Sequence, residues 1–174
     1  STGVVPGIAD EILLAPADDI EETRRILTSH DDIAAVILEP TGSGFGQVPV
    51  TKAFVTELRR ITEQRGILLI FDEVVAGFRA SKGGAQQHFG IMPDIASLAK
   101  ILAGGLPGGA VCGRRDILEL LDFDVTAAKG KEKIGHQGTF NANPLSAASG
   151  VVMLQAVDTT DATAKAIGQA QKLR

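Results

Sequence analysis

The chain has 174 residues, 44% of them apolar and 22% charged, with a net charge of −4 at neutral pH. That length suffices for one domain with a real core, and the absence of any basic run excludes the usual nucleic-acid footprint. No apolar run reaches the roughly 18 residues of a membrane span.

The first residues, STGVVPGIADEILL, lack the basic start of a signal peptide. A single cysteine, Cys112, rules out an internal disulfide and fits a reducing, cytoplasmic compartment. Tyr and Trp are both absent, which at this length suggests a piece of a longer protein.

In chain order, residues 1–18 read as extended chain and turns, punctuated by Gly3, Pro6, Gly7 and Pro16. Asp18 or Asp19 can cap a helix over about 19–29, with acids early and Arg24 and Arg25 later. AAVILEP (34–40) predicts a buried strand stopped by Pro40, and TGSGFGQVP (41–49) a Gly-rich loop. Thr51 caps a helix to about 65, with Phe54, Val55, Leu58 and Ile61 on one side and Gly66 as its stop. GILLIF (66–71), apolar at consecutive positions, predicts a strand covered on both faces, as in parallel sheets. Strand–helix–strand at this spacing is a βαβ unit, so the fold class is α/β with a mostly parallel sheet.

Residues 76–94 predict a loop, with a helical turn at 86–89. DIASLA (94–99) and AVCGR (110–114) predict strands on either side of the loop GGLPGG (104–109). RDILELL (115–121) predicts a short helix and 122–138 a mobile loop. Asn143–Val157 predicts a helix with small residues Ala147, Ala148 and Gly150 on one side. The stretch 160–173 is helical in composition, so 158–174 reads as the start of a connecting helix after a domain spanning 1–157.

Two residues in Gly66–Ala110 carry the chemistry. Asp72 ends a buried apolar run; Lys100 follows in SLAKILAGGLPGG, where small and apolar neighbours would desolvate the stem. At the C-terminal end of a parallel strand, a polar side chain faces the ligand crevice of an α/β sheet. Asp72-Glu73 could equally be a helix cap or a surface pair, and most lysines are simply solvated. An acid and a desolvated amine together suit a cofactor that needs one of each. His30, His88 and His136 have no metal-ligand spacing. Cys112 reads as a core thiol. Arg79 reads as an ion-pair or dimer residue.

The segments IFDEVVAGFR, GGAQQHFG, PDIASLAKILAGGLPGGAVCGR and HQGTFNANPLSAASG resemble class III aminotransferases, most of all glutamate-1-semialdehyde aminomutases and their relatives. The resemblance covers about residues 3–157. It implies the large domain of fold type I, the cofactor pyridoxal 5'-phosphate, and a small amino or carbonyl substrate. It also implies a homodimer. By position, Lys100 would form the Schiff base with the cofactor and Asp72 would pair with its ring nitrogen. Val74 would pack on the ring, Glu39 would lie near ring and substrate, and Thr139 would contact the phosphate of the neighbouring site.

The sequence departs from that pattern in three ways. Gly44 stands where the family usually carries an Asn near the ring. The family's main phosphate loop would precede Ser1, and its small domain would follow Arg174. Three functions stay open: an aminomutase-like isomerase, an ω- or diamine-type aminotransferase using an external keto acid, and a non-catalytic degenerate homologue.

Overall fold

The computed structural model describes residues 3, 5–42 and 48–173. Helices α1 (Pro6–Asp10) and α2 (Ile20–Ser29) lead into strand β1 (Ala35–Leu38) and the two-residue β2 (Val48–Pro49). Then come α3 (Lys52–Arg65), β3 (Leu68–Glu73), α4 (Gly84–Phe89) and β4 (Ile95–Ala99). A 3-10 turn (Lys100–Ala103) joins β4 to β5 (Gly109–Gly113). Helix α5 (Arg115–Leu118), a second 3-10 turn (Glu119–Leu121), α6 (Phe123–Ala128), α7 (Pro144–Thr159) and α8 (Ala162–Lys172) complete the order.

Local chemistry sets the helix limits. Asp19 caps α2 by accepting the Glu22 N–H at 3.0 Å. Thr51 caps α3 by accepting the Phe54 N–H at 3.2 Å, and Gly66 ends it in the left-handed region at φ 68°. Asp18, with φ 60°, crosses to α3 instead: its Oδ1 accepts the Thr51 N–H at 2.8 Å.

The sheet order is β1–β3–β4–β5. β1, β3 and β4 run parallel, and β5 returns antiparallel along β4. The register aligns Leu38 with Phe71 and Ala96, and Asp72 with Ser97. One face carries the core. Leu69 and Phe71 of β3 and Ala96 of β4 pack against Val55, Leu58 and Ile61 of α3, Leu27 of α2, and Ala85 and Phe89 of α4. Each such large side chain contributes roughly 1.5–3 kcal/mol by leaving water.

The opposite face is not sealed. β3 alternates between fully buried Leu69, Phe71 and Glu73 and half-buried Leu68, Ile70 and Asp72. Ile37, level with Ile70 on that second face, is 66% exposed. The expectation of strands covered on both faces therefore holds for one face only, because the described helices α2, α3 and α4 all pack on the same side. Two further expectations are corrected. Pro6 starts a short helix within 1–18, and Asp122 caps α6 inside the presumed loop 122–138, accepting the N–H groups of Asp124 and Val125. No helix among the described residues is long and apolar enough to cross a membrane.

Candidate active site

Three parallel strands end side by side and set out the site. Leu38 aligns with Phe71, so Glu39 stands level with Asp72, and Asp72 pairs in register with Ser97. Lys100 comes three residues after Ser97, just past the end of β4, a run of roughly 10 Å in extended chain. The carboxylates and the lysine thus share one sheet edge, the edge where ligands bind in open α/β sheets.

Asp72 is held on one oxygen. Its Oδ1 accepts the Val74 N–H at 3.1 Å and the Ser97 hydroxyl at 3.1 Å. Its Oδ2 accepts no hydrogen bond among the described residues. A ligand donor approaching this edge therefore meets an oriented carboxylate with one oxygen to spare.

Lys100 opens the 3-10 turn in the left-handed region, at φ 53°. For a residue with a Cβ that conformation costs about 1–2 kcal/mol, and such strain gathers at functional positions. The amine makes no hydrogen bond or ion pair among the described residues, and the side chain is exposed. The desolvation expected for its stem is absent, for the reason given above: this face of the sheet is open.

What fixes the turn is α7. Ser149 donates to the Gly104 carbonyl at 3.2 Å. A Cβ on Gly150 would come within 2.7 Å of the Leu102 carbonyl oxygen, and one on Gly104 within 2.7 Å of the Ser149 carbonyl oxygen. Helix and turn touch backbone to backbone, which only glycine allows. The small-residue side expected of α7 does meet this turn, but its face is Ser146, Ser149 and Gly150. Ala147 and Ala148 are exposed.

Of the two alternatives for Asp72-Glu73, the surface pair fails at Glu73, which is fully buried and serves the start of a helix instead. Its carboxylate takes the N–H groups at the start of α4: Ala85 N–H at 2.5 Å, Gln86 N–H at 3.3 Å and Gln86 Nε2 at 3.1 Å. Alternation along β3 sends Asp72 to the ligand edge and Glu73 into the protein. Ser97 was missed altogether, since strand register is invisible in a single sequence.

The remaining candidates fall as follows. Val74 follows β3, half-buried, bonded to Asp72 through its N–H. Glu39 is half-buried and accepts the Thr41 hydroxyl at 2.8 Å. Thr139 is exposed on the turn before α7 and bonds neither Asp72 nor Lys100. Asn143 accepts the Leu145 and Ser146 N–H groups, so the first turn of α7 is already capped. Gly44 lies outside the described residues. Arg79 donates to the Val75 carbonyl at 2.6 Å and forms no ion pair among the described residues. Cys112 is exposed on β5 and not in the core. Partial burial, then the charge of Glu73, raise its thiol above the ordinary value.

A cavity of about 580 Å³ opens at the other end of the strands, between Ile67, Leu68, Arg59, Asp94 and Arg114. It is a packing feature around Asp94. That carboxylate, 6% exposed, binds the Leu69 N–H at 2.8 Å, Arg59 at 2.8 Å and Arg114 at 3.1 Å. Burial alone would raise the Asp94 carboxyl; the Leu69 N–H, Arg59 and Arg114 outweigh it and hold it below its ordinary value.

Comparison with known proteins places this arrangement. The chain is 43% identical over 155 residues to a glutamate-1-semialdehyde 2,1-aminomutase of Methanoregula boonei, covering 89% of this chain and 36% of that protein. It superposes on an omega-transaminase from Sphaerobacter thermophilus with a TM-score of 0.80 and 36% identity, over 89% of this chain and 34% of the other. A solved transaminase with PLP bound matches with a TM-score of 0.80 and 35% identity, over 89% of this chain and 36% of the other. The chain thus spans about a third of the length of the curated relatives it matches. The sequence profile described as Aminotransferase class-III matches residues 9–174, and this chain belongs to that family.

Proposed function

We propose that this chain grips pyridoxal 5'-phosphate in an enzyme that moves an amino group between an amino compound and a carbonyl, or within one molecule. The observation that carries the reading is the pairing of Asp72 Oδ2 and the Lys100 amine, each without a partner among the described residues, at adjacent strand ends. The fit is chemical: one end of the cofactor ring needs an acceptor for its N–H, the other an amine for its aldehyde. Bound there, the cofactor supplies a protonated pyridine that draws electrons from the substrate carbon.

The chain's own residues do the rest. Asp72 Oδ2 accepts the ring N–H and keeps that proton in place. Lys100 would hold the cofactor at its aldehyde, and its amine would carry the proton at the substrate Cα. Val74 packs on the ring. Glu39, oriented by Thr41, stands level with Asp72 on the substrate side. Thr139 donates its hydroxyl to phosphate across a homodimer, rather than through the first N–H groups of α7, which Asn143 occupies. A cytoplasmic location belongs with this reading.

Two substrate classes compete. The aminomutase name of the Methanoregula boonei relative favours isomerisation of a single substrate. The omega-transaminase from Sphaerobacter thermophilus favours transfer to an external keto acid. Assay of the complete protein on glutamate-1-semialdehyde, with and without added keto acid, separates them: conversion without acceptor supports the first. Borohydride reduction followed by peptide mapping tests the site itself and should find the cofactor on Lys100. An adduct elsewhere refutes the reading. A fully active monomer would refute the shared Thr139.

A further inference from the structure

We infer that Ser97 is a positioning residue, whose hydroxyl aims the Asp72 carboxylate at the cofactor ring; this rests on the reading that Asp72 faces a pyridine nitrogen. The geometry is specific. The Ser97 hydroxyl and the Val74 N–H both donate to Oδ1, at 3.1 Å each, so Oδ1 is occupied and Oδ2 is the oxygen left for the ligand. The two donors come from different places, one from the neighbouring strand and one from the chain two residues on. Together they stop the carboxylate from rotating about its Cβ–Cγ bond.

Register puts Ser97 there. It is the direct β4 partner of Asp72, and both project on the open face. It also stands three residues before Lys100, so the end of β4 and the turn that follows carry both the hydroxyl that orients the acid and the amine that shares its site. Held this way, the carboxylate meets the ring without first reorganising. Without the hydroxyl, Oδ1 keeps only the Val74 N–H and the group can turn toward water on the unsealed face.

The test uses the complete protein reconstituted with pyridoxal phosphate labelled with nitrogen-15 in the ring. In wild type the ring resonance should report a protonated nitrogen, and Asp72→Asn should abolish that signal. Ser97→Ala should lower the pH at which the ring nitrogen loses its proton by about one unit and weaken cofactor binding about tenfold. Ser97→Thr, which restores a hydroxyl on the same carbon, should behave as wild type. The cofactor-free form of both Ser97 variants should melt within a degree or two of cofactor-free wild type.

A Ser97→Ala protein indistinguishable from wild type, while Asp72→Asn loses the protonated signal, overturns the role of Ser97 and leaves that of Asp72 standing. A wild type with an unprotonated ring overturns both. Equal losses in Ser97→Ala and Ser97→Thr also overturn the inference, since they would make the site sensitive to packing and not to the hydroxyl.

Discussion

Replacing Glu73 by Gln tests whether the buried acid beside Asp72 holds the site together. Glutamine has the same shape but offers one acceptor oxygen where the carboxylate offers two. With its NH2 at the Oε2 position, a donor faces the Ala85 N–H, now 2.5 Å from that atom. With its NH2 at the Oε1 position, both Gln86 donors lose their acceptor. The cheaper choice still forfeits one hydrogen bond to a charged group, about 1.5–3 kcal/mol, and strands a buried N–H, about 1–3 kcal/mol more. The sum is about 2.5–6 kcal/mol. At about 2–4 °C per kcal/mol for a domain of this size, the melting temperature should fall by roughly 5–24 °C.

Gly84→Ala perturbs the same joint from the other side. Gly84 has φ 72°, and a Cβ there would collide with the Glu73 carboxylate. Differential scanning calorimetry should show both variants falling together. Cofactor retention should fall with them, because α4 and the end of β3 move as a unit. A drop of less than about 2 °C in Glu73→Gln would refute the joint.

Gly150→Ala should push α7 away from the Lys100 turn, costing about 1–3 kcal/mol as overpacking against a carbonyl that cannot yield; thermal unfolding reads it, and Ala147→Gln, which places another good helix former at an exposed position, is the near-neutral control. Thr51→Ala should cost about 1 kcal/mol, because it removes the cap of α3, and Thr51→Ser should restore it; urea midpoints decide. Acid should weaken the fold in a defined order. The hydrogen bonds from Arg60 and then Arg24 lower the Glu57 carboxyl from 4.5 to about 2, so its stabilisation is complete above 4.5 and fades as pH falls toward 2. Asp94, also depressed, adds its loss only below its ordinary 3.8. Melting temperature against pH should show this acid limb, and Glu57→Gln should flatten its upper part.

Periodicity and end signals carried most of the architecture. α3 could be read to within a residue, because a capping Thr51, four apolar residues at helical spacing and Gly66 all agree. β3 and β4 followed from short apolar runs with clear stops. Several of the misreadings come from dependence on partners distant in sequence. The half-open sheet face and the exposure of Lys100 and Cys112 depend on what covers them. The inward turn of Glu73 follows from alternation once the strand's end is known, whereas the Ser97–Asp72 contact follows only from register. α6 and α1 were missed because each is too short to show a period, and only Asp122 and Pro6 mark their starts.

The seating of α7 against the Lys100 turn has a consequence for how this protein can vary in length. A helix resting on carbonyl oxygens through one glycine accepts only one rotation. Inserting or deleting a single residue ahead of Gly150 would turn the following helix by about 100° and offer Ser149 or Val151 to the Leu102 carbonyl instead. Change in chain length is therefore barred between Asn143 and Gly150, whereas the stretch between α6 and Thr139 carries no such backbone seat among the described residues.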